Sequence, residues 1–169
     1  MSKGYTCKCC GKNHDEIPMT YGADAPVYVE AISPNERAKR VYLEPSVCVI
    51  DDEHFFVRGS IAIPILDDPD KTFSWGVWST ISQANYEIMA ANWSVEGREK
   101  IVLPAFGYLS NKIPLYGDTL NLNVLSHTMP VGQIPVFELE PTDHPLAIEQ
   151  REGITMERVH EIANILLGP

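Results

Sequence analysis

Three side chains that bind transition metals lie close together near the start of the chain: Cys7, Cys10 and His14. Two thiolates separated by two residues, with Gly11 permitting a tight turn after them, can converge on one zinc ion. A structural zinc needs four ligands, and these three are an incomplete set. The spacing therefore predicts a zinc-knuckle-like loop that holds a structural zinc with a further ligand from elsewhere.

The fourth ligand is either Cys9, inside the loop, or a distant residue. Cys48 is the best distant candidate, although a cysteine between valines is also an ordinary small buried hydrophobe. His54, His127 and His144 are remoter candidates. The alternative to a zinc site is a cluster of reduced, exposed thiols.

A second polar group lies on a segment that alternates like a β-strand. His54, Phe56 and Arg58 fall on one face by the two-residue period of a strand, while Phe55 and Val57 face the core. A histidine and an arginine on either side of an aromatic ring could bind an anion or a carboxylate. The alternative is an ordinary solvated face of a sheet.

The third group lies between residues 138 and 151, where acidic residues surround a histidine and two prolines. Asp143 next to His144 could orient an imidazole for acid–base work or metal binding, with Glu149 nearby. Combined with His54, this pair gives one enzyme hypothesis, a metal-dependent hydrolase. A proline-bounded polar turn before a helix explains the same residues without chemistry.

Tryptophans at 75 and 78 lie on opposite faces of a predicted strand, because they are three residues apart. Phe73, Trp75 and Val77 then face the core. Trp78 becomes a candidate binding residue on the other face.

The elements that position these residues follow from periodicity and capping. Ser33 and Pro34 predict a helix start, and Ser82 and Thr155 are N-cap candidates for two more helices. Strands are predicted at 47–51, 54–63, 72–79, 105–110, 119–126 and 134–140. Consecutive strands favour antiparallel pairing, so we expect an α+β fold with a mainly antiparallel sheet and about three helices.

The length of 169 residues fits a single domain, with the cysteine-containing region 1–26 packed on it. A net charge of −10 disfavours contact with nucleic acid and suits a basic protein partner. The chain contains no apolar run of membrane-spanning length and no signal-like start, so we expect no membrane association and a cytoplasmic location.

Several segments together match the pattern of one family. They are 7–14, 21–26, 48–51, 54–59, 73–78, 118–122 and 138–150. On these segments the chain resembles, over nearly its whole length, the bacterial family catalogued as domain of unknown function 2199. The resemblance implies a bacterial, stand-alone, single-domain protein and supplies no catalytic residues. Cys9 inside the knuckle and Gly117, where a proline is expected, depart from the pattern.

The sequence therefore favours a small zinc-binding protein that acts by binding a protein or peptide. One version is an immunity-type protein whose acidic surface covers a basic toxin. The absence of nucleotide-binding, zinc-protease and nucleophile-elbow motifs agrees with this hypothesis. The alternative is the hydrolase with His54, Asp143 and His144.

Overall fold

The computed structural model describes residues 5–6, 11–14 and 16–168. The strands are β1 (Tyr5–Thr6), β2 (Asn13–His14), β3 (Thr20–Gly22), β4 (Val41–Leu43), β5 (Val47–Ile50), β6 (His54–Pro64), β7 (Thr72–Ile81), β8 (Ala105–Tyr108), β9 (Asn123–His127) and β10 (Val136–Leu139). The helices are α1 (Pro34–Arg40), α2 (Gln83–Ala91), α3 (Arg98–Ile101), α4 (Pro145–Glu152) and α5 (Met156–Leu167), with a short 3-10 helix at Val27–Val29.

The main sheet of the described residues is mixed and has eight strands. Six of them lie in the order β3-β7-β6-β10-β9-β8, and the other two are β5, which pairs with β6, and β4, which pairs with β5. β3 runs parallel to β7, and β10 runs parallel to β6. The prediction of a mainly antiparallel sheet with about three helices is therefore wrong in detail, although the α+β class is confirmed. The parallel pairs join segments far apart in sequence, which local patterns do not reveal.

β6 is long enough to pair with two different strands along the same edge. Its first half pairs with β5, with Val47 opposite Val57, and its second half meets β10 where Val136 lies opposite Ser60. The other edge pairs with β7 along the whole strand. β6 is therefore the central strand of the fold.

The sheet curls until its last strand returns to β7. The chain just after β8 forms a bridge between Leu109 and Ser79, and the Ser110 amide donates to the Trp78 carbonyl oxygen at 2.8 Å. Gly107 lies directly against β7, where a Cβ atom would collide with the Thr80 carbonyl oxygen. Glycine at 107 thus permits the close approach that closes the curl.

The main core fills the inner face of this curled sheet. Phe73, Trp75 and Val77 lie there, as the two-residue period predicts, and Val57 and Ile61 join them from β6. α4 contributes Leu146 to this core, and α5 contributes Val159 and Ile162. The predicted inward faces of β6 and β7 are confirmed.

A second, smaller core covers part of the outer face. Trp78, Phe56 and Cys48 are buried there beneath Val29 and Ile32, from the 3-10 helix and the turn after it. The outer face of β6 and β7, which the sequence predicts to be polar, is therefore also covered over part of its area. Segment 23–32 supplies this second layer.

The predicted helix starts at Ser82 and Thr155 are confirmed, since each hydroxyl accepts the amide hydrogen of the residue three positions later. α1 begins at Pro34 as predicted, but Ser33 forms no side-chain capping bond. No helix in the described part of the chain is both long and apolar enough to cross a membrane.

Candidate functional site

The structure describes few of the predicted metal ligands. Cys7 and Cys10 lie outside the described residues, as does the side chain of His14. Among the residues that are described, no three histidine, cysteine, aspartate or glutamate side chains converge on a point. The described residues therefore show no zinc-knuckle-like site, and the site at Cys7, Cys10 and His14 stays a prediction.

Cys48 is completely buried in the second core. Burial raises the pKa of its thiol to about 11, because the apolar surroundings disfavour the thiolate. Zinc binds the thiolate form, so this environment opposes metal binding by Cys48. Its role in the structure is that of a small hydrophobe opposite Phe56 in the β5–β6 pair.

The predicted binding residues on β6 and β7 are separated by burial. Trp78 is completely buried and its indole Nε1 donates to the Ala23 carbonyl oxygen at 3.0 Å, so it stabilises the fold and presents no surface. His54 is exposed at the start of β6. Arg58 lies on the outer face with its guanidinium over Gly22 and Gly76, where the missing side chains leave room.

The residues predicted at 143–149 belong to structural networks. His144 is the N-cap of α4: its Nδ1 accepts the Leu146 amide hydrogen, and its Nε2 lies 2.8 Å from the Asp118 carbonyl oxygen. Both ring nitrogens are thus occupied by backbone groups in the neutral tautomer with hydrogen on Nε2. Asp143 is exposed beside it.

Glu149 ties α4 to two neighbours. Its carboxylate accepts the Tyr116 hydroxyl hydrogen at 2.5 Å and forms an ion pair with Arg158 Nε at 2.9 Å. The Tyr116 hydroxyl in turn accepts from the Trp75 indole at 3.3 Å. Burial and the Glu149 carboxylate together raise the pKa of Tyr116 above its ordinary value.

The structure instead brings together a set of clefts along α2. Two neighbouring sides of this helix face two different clefts, and both clefts are lined by Met89 and by Trp93, which lies just beyond the end of the helix. No residue of α2 is fully buried. α2 therefore covers the core incompletely and leaves space on each side.

The first space, which we call the α3 cleft, has a volume of about 260 Å³ and lies between α2, α3 and the segment 126–135. Ile88, Met89 and Asn92 line it from α2 and its end, and Ile101 and Leu103 line it from α3 and the following turn. The spacing of three and four residues places the α2 side chains on one helical face. The cleft is chiefly apolar.

The second space, which we call the β4 cleft, has a volume of about 480 Å³ and lies between α2 and the β4–β5 hairpin. Tyr86 and Trp93 line it from the helix side, while Tyr42 and Glu44 line it from β4 and the turn after it. The turn is closed by the Glu44 amide, which donates to the Val47 carbonyl oxygen at 2.9 Å.

Arg98 anchors the region between the clefts. It is buried, and its guanidinium donates to the carbonyl oxygens of Trp93, Met129, Pro130 and Gln133 at 2.8 to 3.2 Å. Arg98 has no carboxylate partner within the described ranges, and carbonyl oxygens compensate for its lost hydration. Arg98 thus joins the α2–α3 turn to the loop 129–133.

The clefts were not found from the sequence. Tyr42 and Tyr86 are 44 positions apart, and only the pairing of β4 with β5 and the placement of α2 bring them to one cleft. The available signal was the stripe of Tyr86, Met89 and Trp93, which has helical spacing. Such a stripe ordinarily indicates core packing, whereas here Trp93 stays half-exposed.

A family model matches most of the chain. The model of a family described as an uncharacterized protein conserved in bacteria, domain of unknown function 2199, matches residues 6–154. This match confirms the resemblance drawn from the sequence segments. No curated protein matches the chain, and no solved structure does.

Proposed function

Since the chain belongs to the bacterial family catalogued as domain of unknown function 2199, whose description names no activity, we propose its function from the clefts along α2. The protein is a binding protein, and its ligand is a segment of a polypeptide partner. The segment lies against α2 and inserts an apolar side chain into the α3 cleft.

One observation carries this proposal: exposed large apolar side chains concentrate in residues 88–108. These are Ile88, Trp93, Val95, Ile101, Leu103, Phe106 and Tyr108. Four of them, Ile88, Trp93, Ile101 and Leu103, line the α3 cleft. Exposed apolar side chains grouped around a cleft are typical of protein interaction sites, because leaving them in water costs free energy.

Charge supports a basic partner. Glu44, Glu87 and Glu96 are exposed around the clefts, Lys100 is the exposed basic residue of the same region, and the whole chain carries −10. An acidic surface speeds association with a basic partner and discourages acidic ones. A partner segment with an apolar anchor beside lysine or arginine suits this surface.

An immunity-type protein that covers a basic toxin is one form of this function. The net negative charge supports it. The surface along α2 supports it too, because covering a toxin requires contact and no catalysis. Exposed carboxylates also occur on residues that line neither cleft, in the turns 51–53 and 67–70. The apolar clefts, and not the charge alone, are therefore the basis of the proposal.

A structural zinc at Cys7, Cys10 and His14 remains part of the proposal on the evidence of spacing. Burial of Cys48 favours Cys9 or a histidine as the fourth ligand. The metal would clamp the N-terminal region, while binding takes place along α2.

The proposed function is tested by panning a random peptide phage library against the purified protein. We expect enrichment of peptides with an apolar residue next to lysine or arginine. Ile101→Glu should abolish their binding, because Ile101 is 64% exposed and lines the α3 cleft. Leu66→Glu is the matched control, since Leu66 is 59% exposed and lies outside the cleft.

Two results would overturn the proposal. One is a library that yields no peptides of this chemistry. The other is binding that Ile101→Glu and Leu66→Glu affect equally, since the apolar cleft would then have no special role.

A further inference from the structure

The β4 cleft differs in chemistry from the α3 cleft, because aromatic rings line it. Tyr42, Tyr86 and Trp93 all contribute to its walls, and Met89 completes the side formed by α2. Tyr42 is 55% exposed and Trp93 is half-exposed, so both rings offer surface to a ligand. Its volume of about 480 Å³ lies in the range of small-ligand sites, about 300 to 1,000 Å³.

Glu44 supplies the charge of this cleft. Among the lining residues that the structure describes, it is the one acidic residue, and none is basic. The Glu44 carboxylate raises the pKa of the Tyr42 phenol, and burial and Tyr86 add to this effect. The rim of the cleft is therefore negative, and its walls are aromatic.

An aromatic face carries a negative quadrupole that attracts cations. The Trp93 ring already accepts one cation in the structure, since Arg98 Cζ lies 5.5 Å from its centroid. Arg98 is not among the residues that line the β4 cleft, and carbonyl oxygens occupy its donors. The cleft thus has aromatic rings and a carboxylate without a cation of its own among the described residues.

We propose that the β4 cleft binds an organic cation, an alkylammonium or guanidinium group. The rings of Tyr42, Tyr86 and Trp93 contact the cation, and Glu44 neutralises its charge. The cation comes either from a free organic ammonium compound or from a lysine or arginine side chain of a polypeptide. This inference does not depend on the proposed function, because small cations test it without a partner.

The test is titration of the full chain with choline and with 3,3-dimethylbutan-1-ol, its neutral isostere of nearly the same shape. Binding is followed by the indole N–H signals of the three tryptophans in a nitrogen–proton correlation spectrum, with Trp93→Phe identifying the signal of Trp93. We expect choline to shift the Trp93 signal saturably. The buried indoles of Trp75 and Trp78 are internal controls that should stay in place.

Variants and probes then separate the contributions. Glu44→Gln and Tyr42→Ala should each weaken choline binding about three- to five-fold. Tyr108→Ala is the matched control, because Tyr108 is 45% exposed and lies outside the cleft. Tighter binding of Nα-acetyl-lysine amide or Nα-acetyl-arginine amide than of choline would assign the cation to a polypeptide side chain. Tighter binding of choline would assign it to a free ammonium compound.

The proposal is overturned if the neutral isostere binds as tightly as choline, since charge would then play no part. It is also overturned if none of the cations shifts the Trp93 signal, or if Tyr108→Ala weakens binding as much as Tyr42→Ala. If choline binds as expected but the peptide panning fails, the cation site is supported and the proposed peptide-binding function is not.

Discussion

The guanidinium of Arg98 lies over the indole ring of Trp93, 5.5 Å from its centroid, and also donates a hydrogen bond to the Trp93 carbonyl oxygen. This double contact fixes Trp93, one of the residues that line both clefts of α2. The same guanidinium holds the loop 129–133, so the shape of the α3 cleft depends on one buried side chain.

We predict that Arg98→Ala lowers the free energy of unfolding by about 2–4 kcal/mol, because it leaves buried carbonyl oxygens without donors. Arg98→Lys should recover only a small part of the loss, since an ammonium cannot match the fork of a guanidinium. Urea unfolding of the three proteins measures this. Stability of the lysine variant equal to wild type would show that only the charge matters.

Closure of the curled sheet depends on the absence of a side chain at Gly107. Gly107→Ala should destabilise the protein by about 2–4 kcal/mol, because a Cβ atom would collide with the backbone of Thr80. Gly76→Ala is the control in another strand, where the nearest atom to a Cβ lies at 3.5 Å. Thermal unfolding compares them, and equal effects would contradict the closed arrangement of β7 and β8.

Glu149 is expected to act in stability, as its contacts with Tyr116 and Arg158 indicate. Glu149→Ala should lower the free energy of unfolding by about 1–3 kcal/mol, because it leaves the Tyr116 hydroxyl and the Arg158 Nε without the carboxylate that both contact. Glu161→Ala, which removes an exposed partner of Arg158, should cost about 0.5 kcal/mol or less. The reverse order in denaturant titrations would refute the structural role.

The raised pKa of Cys48, about 11, predicts a pH dependence. The unfolded state loses the thiol proton near its ordinary value of about 9, before the folded state does. Stability from this group is therefore full below pH 9 and lost as the pH rises through 11. We compare two proteins that both carry serine at positions 7, 9 and 10, one with Cys48 and one with Cys48→Ala. Between pH 9 and 11 the Cys48→Ala protein should lose less of its free energy of unfolding, measured by urea titration at each pH.

The zinc hypothesis predicts one zinc per chain in protein purified without a metal-chelating tag. Cys10→Ser should lose the metal because it removes a thiolate ligand. Cys48→Ala should retain it, because Cys48 is completely buried in the second core. Elemental analysis of the three proteins decides this, and wild-type protein free of metal would refute the site.

Local features of the sequence were sufficient for several elements. The alternation in 54–63 and 72–79 predicted which side chains of β6 and β7 face the main core, and Ser82 and Thr155 marked the starts of α2 and α5. These features depend on residues a few positions apart, since helical and strand periods and N-caps are local. The four residues of α3 are too few to show a period.

Tertiary structure decided the rest. The pairing of β10 with β6 and of β3 with β7 joins residues more than fifty positions apart, so a local pattern contains no information about it. The sequence predicts that Trp78 lies on a solvent-exposed face of β7, but segment 23–32 covers that face in the folded structure. Likewise Tyr42, Tyr86 and Trp93 are unremarked aromatic residues in the sequence. They become one cleft because α2, held by Arg98, leaves a space beside the β4–β5 hairpin.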